Sequence, residues 1–175
     1  MYLRNWLLLG PFSFNSDEYP GRWDRDVVDE DCFMKSDEAT LTAQEPGNKS
    51  EGVEWERYAS PADSRFPQVI NLHDTYGQQA YSLAYAVAHV YSEKAVTGYS
   101  LYAGSDDYIK VWVNGRHVHS WARRSRSIRQ DDDKVEGIAL RKGWNKIVVK
   151  CVNLKGTWGF MLRLADEQDR PLVTE

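Results

Sequence analysis

The sequence predicts an all-β chain folded as an antiparallel β-sandwich of the jelly-roll type, and three observations predict it. Apolar and polar residues alternate with period two in several stretches, most plainly Ile109-Lys110-Val111-Trp112-Val113, and that is the repeat of a half-buried strand. Turn dipeptides separate the stretches: Gly10-Pro11, Pro20-Gly21, Pro46-Gly47, Asn114-Gly115, Lys142-Gly143 and Lys155-Gly156. No segment carries a firm helical period. Many short strands with frequent turns point to a sandwich.

Taken in order, Tyr2–Gly10 opens as an apolar strand that Gly10-Pro11 should end. Ser13–Glu54 is long and polar, with a short helical piece expected near Ser36–Ala43. Trp55–Tyr58 is a short strand and Val69–Leu72 a brief extended segment. Tyr81–Tyr91 is the first long strand: Leu83, Tyr85 and Val87 take one face, and Ala84, Ala86 and Ala88 the other. Alanine favours helices, but aromatics and valines at alternate positions decide for the strand. Val96–Ala103 alternates again and leads to a tight acidic turn at Gly104. Ile109–Val113 and Arg116–Ser120 then form a hairpin, because Asn114-Gly115 tolerates the positive φ of a type I′ turn. Trp121–Asp133 is a charged loop. Val135–Leu140 is a strand and Trp144–Val152 the most apolar one, with Ile147, Val149 and Cys151 predicted to face the core. In Trp158–Leu164, Phe160, Leu162 and Leu164 point inward and Arg163 outward.

A chain of 175 residues suits one domain with a full core, so residues 1–175 read as a single domain. The net charge of −4 argues against a nucleic-acid partner held by phosphate contacts. No apolar run reaches the length of a membrane span, and Trp6-Leu7-Leu8-Leu9 is too short for a signal-peptide core. The chain therefore stays where it is made or is a module of a longer exported protein. Cys151 reads as a buried thiol in an apolar strand, while a bridge to Cys32 stays open. Aromatic residues make up 13% of the chain. Beyond what a core absorbs, such an excess marks a surface on which sugar rings stack.

Asp106-Asp107 is the sharpest chemical feature. Two carboxylates at a loop apex suit a hard cation such as calcium, or accept hydrogen bonds from sugar hydroxyls. The plainer alternative has one carboxylate capping turn amides and the other pairing with an arginine. The acidic runs Asp24–Asp31 and Asp131–Asp133 fail the calcium-loop pattern and read as solvated or arginine-paired surface. Trp121, Arg123 and Arg124 form an aromatic-basic loop: a stacking face beside two guanidinium forks. An ordinary exposed loop with its Trp folded inward fits equally well. Trp23, Tyr76, Tyr108 and Trp158 lie at predicted turns and are candidates for the same surface, though Trp158 equally suits a core plug. His117 and His119, two apart on a strand, should share a face, without an obvious third metal ligand. No nucleophile elbow or phosphate loop occurs.

Several segments together carry a resemblance: Trp6-Leu7-Leu8-Leu9-Gly10-Pro11-Phe12, Trp23-Asp24-Arg25-Asp26, Ala84-Tyr85-Ala86, Gly104-Ser105-Asp106-Asp107, Val111-Trp112-Val113-Asn114-Gly115, Lys142-Gly143-Trp144-Asn145 and Trp158-Gly159-Phe160. Over nearly its whole length the chain resembles the galactose-binding-like β-sandwich modules attached to bacterial carbohydrate-active enzymes. Gly104–Val118 also resembles the protective-antigen-type lectin domain of fungal adhesins, in which a pair of aspartates holds calcium at the sugar site. The resemblance implies a non-catalytic module that binds an oligo- or polysaccharide, extracytoplasmic or secreted if it belongs to such an enzyme. The site it suggests comprises Asp106, Asp107, Tyr108, Trp121, Arg123 and Arg124, with Asp106 and Asp107 the ligands of any calcium. The competing expectation is a spacer or docking module packed on a catalytic domain of its parent protein, with no sugar of its own.

Overall fold

The computed structural model describes residues 1–16, 45–50 and 52–172. Twelve strands lie among them: β1 (Asn5–Ser13), β2 (Lys49–Ser50), β3 (Val53–Glu54), β4 (Glu56–Ala59), β5 (Ile70–Asn71), β6 (Ser82–Ser92), β7 (Val96–Asp106), β8 (Tyr108–Val113), β9 (Arg116–Trp121), β10 (Asp133–Leu140), β11 (Gly143–Asn153) and β12 (Gly159–Ala165). One short helix, α1 (Leu72–Tyr76), follows β5. Two antiparallel sheets, ordered β4-β1-β6-β11-β8-β9 and β10-β7-β12-β5, face each other as a sandwich. Trp23, Cys32, the Asp24–Asp31 run and the segment near Ser36–Ala43 lie outside the described residues.

The main core fills the space between the sheets. Ala84, Ala86 and Ala88 of β6 meet Ile147, Val149 and Cys151 of β11 and Ile109, Val111 and Val113 of β8; Phe160, Leu162 and Leu164 of β12 close it from the other sheet. The small β6 residues let the long side chains of the facing sheet interdigitate. Trp6 meets Phe160 edge-on, centroids 5.1 Å apart. A second cluster covers the outer face of the larger sheet, where Leu83, Tyr85, Val87, Tyr108, Trp112 and Val148 pack with Trp55 and Phe14. Burial on both faces explains why Ile147–Val149 and then Cys151 and Val152 of β11 place apolar residues at successive positions.

Several local expectations change. β1 does not end at Gly10-Pro11: it runs on to Ser13, with a shift of register against β6 between Leu9 and Phe12. Proline cannot donate to a ladder, and the irregularity accommodates it. The extended segment expected through Leu72 stops at Asn71, whose side chain caps α1 by accepting the Asp74 N–H at 3.2 Å. The acidic stretch at Gly104 is no hairpin turn; β7 runs on to Asp106 and Asp107 alone links it to β8 in the other sheet. Arg163 leaves the core face as expected but is only 8% exposed, lying 3.8 Å over the Tyr102 ring and paired with Asp131 at 2.9 Å and Asp169 at 3.0 Å.

The hairpin forms as the sequence requires, with Asn114 at φ 50° and Gly115 at φ 82°. A bulge follows on its return strand: Val111 lies opposite His119, but Trp112 lies opposite His117. His117 therefore turns to the outer face, its ring 5.8 Å from Trp112, and His119 turns inward to Asp133 at 3.0 Å. The inserted residue breaks the period-two rule that put both histidines on one face.

Candidate functional site

Asp106 and Asp107 mark the single crossing between β7 and β8, and the peptide joining them is cis. The Asp107 N–H donates to Val152 O at 3.1 Å, which seats the crossing against β11. Its carboxylate is 2% exposed and fully engaged. Oδ2 accepts the Leu154 N–H at 2.7 Å, and Oδ1 accepts the Ser125 hydroxyl. Among the described residues the Asp106 carboxylate accepts only from the Thr157 hydroxyl, at 3.4 Å. Among the described residues neither carboxylate forms an ion pair. Burial first, and then the neighbouring Asp107 charge, push the Asp106 carboxyl up to about 6 against the opposing Thr157 hydrogen bond.

The turn from Leu154 to Trp158 thus grips both aspartates. Asn153, at its start, was not among the residues singled out from sequence. Its Nδ2 donates to Gln79 O at 2.6 Å, and its Oδ1 is buried without a hydrogen-bond donor. Asn153 shares a strand face with Cys151, two residues earlier, whose Sγ reaches Asp106 O at 3.7 Å. A buried amide oxygen on the strand that seats the crossing, with two carboxylates that form no ion pair among the described residues, is the donor chemistry of a hard cation. Among the described residues no three His, Cys, Asp or Glu side chains converge, so a cation here would need an amide as its third side-chain oxygen. The residues present fit calcium.

Asp106 also lines a groove of about 830 Å³. The groove runs between residues 58–69, α1, the turn at Thr157 and the part of the long loop holding Ile128 and Gln130. Apolar walls come from Tyr58, Val69 and Met161; Asn71, Asp74 and Gln130 supply polar ones. Phe66, also on its wall, is 53% exposed. Among the described residues the lining holds two carboxylates and neither Lys nor Arg. The groove exists because Gly104 lets the long loop lie directly on β7: a Cβ there would stand 2.0 Å from Arg129 O.

The loop that follows β9 lies beside the acidic crossing, as an antiparallel hairpin demands. Its closure uses Ser125 and Arg126 rather than Arg123 or Arg124. Arg126 donates to Ser105 Oγ at 2.8 Å and to Asp133 at 2.5 Å and 2.9 Å. The same guanidinium sits 4.5 Å over the Trp121 ring, and the Trp121 indole N–H donates to Arg124 O at 3.1 Å. Burial pushes the Asp133 carboxyl up, but hydrogen bonds from His119 and Arg126 outweigh it and hold it at about 2. Arg123 and Arg124 remain exposed on this loop, and Trp121 is half-buried. Tyr108 is 1% exposed inside the outer cluster and Trp158 is a core plug at 2%, so neither ring offers a stacking face. The buried Cys151 carries a free thiol, which burial pushes above its ordinary range.

No family model matches this sequence, and no curated protein aligns with it significantly. Among solved structures, the chain is similar to a PA14 domain of the MpAFP antifreeze protein. The identity is 19% and the TM-score 0.43, over 54% of this chain and 48% of that one. It is also similar to the Epithelial Adhesin 9 A domain of Candida glabrata, solved in complex with Galb1-3GlcNAc (11% identity, TM-score 0.47, 96% of this chain, 85% of that one). An uncultured Clostridium sp. beta-glucuronidase aligns over 87% of this chain and 22% of its own, at 9% identity and TM-score 0.39. At this level the likenesses assign neither family nor ligand.

Proposed function

We propose that the chain is a non-catalytic carbohydrate-binding module and that the glycan enters the groove under Asp106. The observation that carries this reading is a carboxylate without an ion pair lining a groove of about 830 Å³, with a half-exposed phenyl ring on the same wall. Sugar hydroxyls meet the acceptors and amides of Asp106, Asn71 and Gln130, and a pyranose face stacks on Phe66. The rim carrying Trp121, Arg123 and Arg124 is tied to Asp107 through Ser125 and lies next along a longer chain. The residues that would hold a calcium ion are Asp106, Asp107 and Asn153, and such an ion supplies a positive centre for vicinal hydroxyls. Asp106 would hold it on the groove side, and Asp107, bonded to the Leu154 N–H, would tie it to that turn.

A second reading has one observation in its favour. Trp121 spends its N–H on Arg124 and one ring face on Arg126, which suits a structural clasp within a docking or spacer module of a larger protein. A glycan array followed by affinity electrophoresis, each with and without chelator, separates the two. Binding predicts retention that Asp106→Asn and Phe66→Ala abolish while the chain stays folded. If no array glycan is retained with or without calcium, the groove is not a sugar site and the spacer reading stands.

A further inference from the structure

A second groove, of about 750 Å³, lies at the end of β6, inside the larger sheet, and the Asp106 reading does not use it. Its origin is topological. Pairing between β1 and β6 stops at Leu7–Val87, and the chain before β1 crosses to the other sheet, where the Leu3 N–H donates to Leu162 O at 2.9 Å. The end of β6 from His89 to Ser92 is left open on that side. Tyr91 and Trp144 stand there directly opposite each other on β6 and β11, 50% and 55% exposed, with ring centroids 5.4 Å apart at 73°. Among the described residues only two other large apolar side chains, Met1 and Phe66, are as exposed.

The charge around these rings is opposite to that of the Asp106 groove. Arg4 and Lys94 line this one against the single carboxylate Glu93. Lys142 is exposed in the turn two residues before Trp144. Among the described residues Arg4, Lys94 and Lys142 form no ion pair. Arg4 donates to Ser60 O at 2.5 Å, but its Nε is buried in the groove floor without an acceptor. A guanidinium with no carboxylate partner among the described residues favours an anion beside it.

We infer that the Tyr91–Trp144 groove is a second saccharide site, and that it takes an acidic polysaccharide whose rings stack on the two aromatics while its carboxylates face Lys94, Lys142 and Arg4. Neutral glycans gain the stacking without the charge term. An apolar protein partner would leave the three cations uncompensated.

The test is affinity electrophoresis of the full chain through gels containing polygalacturonate or, in parallel, neutral galactan. Retention by polygalacturonate is expected, falling with added salt to about 0.5 M as screening shortens the reach of the cations. Trp144→Ala and Lys94→Glu should each weaken it roughly tenfold, at an unchanged melting temperature because both side chains are exposed. Asp106→Asn and Phe66→Ala should leave it intact, so failure of the Asp106 site is read separately. The inference falls if polygalacturonate is not retained, if galactan is retained equally well, or if Trp144→Ala leaves retention unchanged. It falls equally if Trp144→Ala alters only the molar mass in solution, which would make this face a contact between copies of the chain.

Discussion

The groove under Asp106 and the groove beside Trp144 enclose about 830 and 750 Å³, and their walls carry opposite chemistry. The first is built by loops: a long one lying on β7, a short helix, and the turn that grips two aspartates. Its charged groups are carboxylates. The second is built at strand ends, where one side of β6 is left unpaired and two aromatics face each other in register, and its lining cations outnumber its carboxylate. Volume alone therefore says little about a ligand here; what the backbone brings to the rim decides. Loop-built and strand-built sites should also fail differently, because one depends on how a loop is seated and the other on ladder register.

The strongest way to break that comparison is Gly104→Ala. The added Cβ would stand 2.0 Å from Arg129 O, and backbone on both sides leaves little room to relax. A loss of about 3 kcal/mol or more in urea unfolding is expected. At temperatures where the variant is still folded, array glycans should be lost and polygalacturonate retention kept. Loss of both at once would tie the two grooves together. Next comes Arg126→Ala. It leaves Asp133, about 10% exposed like Arg126 itself, with His119 as its remaining close partner, and a cost of about 3 kcal/mol follows. Asp133 also sets an acid limit. Its folded carboxyl is held at about 2 against 3.8 for the unfolded chain, so its contribution is present above pH 3.8 and lost as pH falls through 2. In the Arg126 variant the folded carboxyl moves back toward 3.8, so this acid loss should shrink and end at higher pH.

Val149→Ala, in the core between the sheets, should cost about 2 kcal/mol from lost burial and the cavity left behind, and should weaken neither groove selectively. A selective loss of one activity would show that the grooves are not carried equally by the core. The smallest effect belongs to Asp106. Its folded carboxyl lies at about 6 against 3.8 unfolded, so its stabilising contribution is complete below pH 3.8 and disappears as pH rises through 6. The melting temperature should fall over that window, Asp106→Asn should flatten the fall, and calcium should reverse it at pH 7. A melting curve indifferent to both pH and calcium would remove Asp106 from the cation reading.

Strand positions and the hairpin were legible because their signals are local: alternation along β8 and a dipeptide with positive φ. The two-faced burial of β6 and β11 was legible too, since apolar residues occupied both parities. What escaped depends on register or on distant partners. The bulge that parts His117 from His119 leaves no mark on the alternation around it. Asn153 lies 46 residues from Asp107 in sequence and meets it through the neighbouring Leu154, so nothing in its own surroundings distinguishes it from an ordinary turn residue. The adjacency of the Asp106 crossing and the Trp121 loop followed from topology. That Ser125 and Arg126 make the contact, rather than Arg123 or Arg124, depends on side-chain reach within the loop. Tyr91 and Trp144 were visible as aromatics at strand ends, but their shared exposed face appears only once β6 and β11 are paired.

The bulge in β9 has a consequence beyond the two histidines. β9 is the free edge of the larger sheet, and an unpaired edge is a template on which another extended chain can add. A misplaced residue interrupts the even spacing of donors and acceptors that such an addition needs. The other margins are blunted as well. β4 has four residues and β5 two, and β10 breaks register twice against β7. Among the described residues, which are mostly strand, no long regular margin is left for runaway self-stacking, and the sheets can end in water.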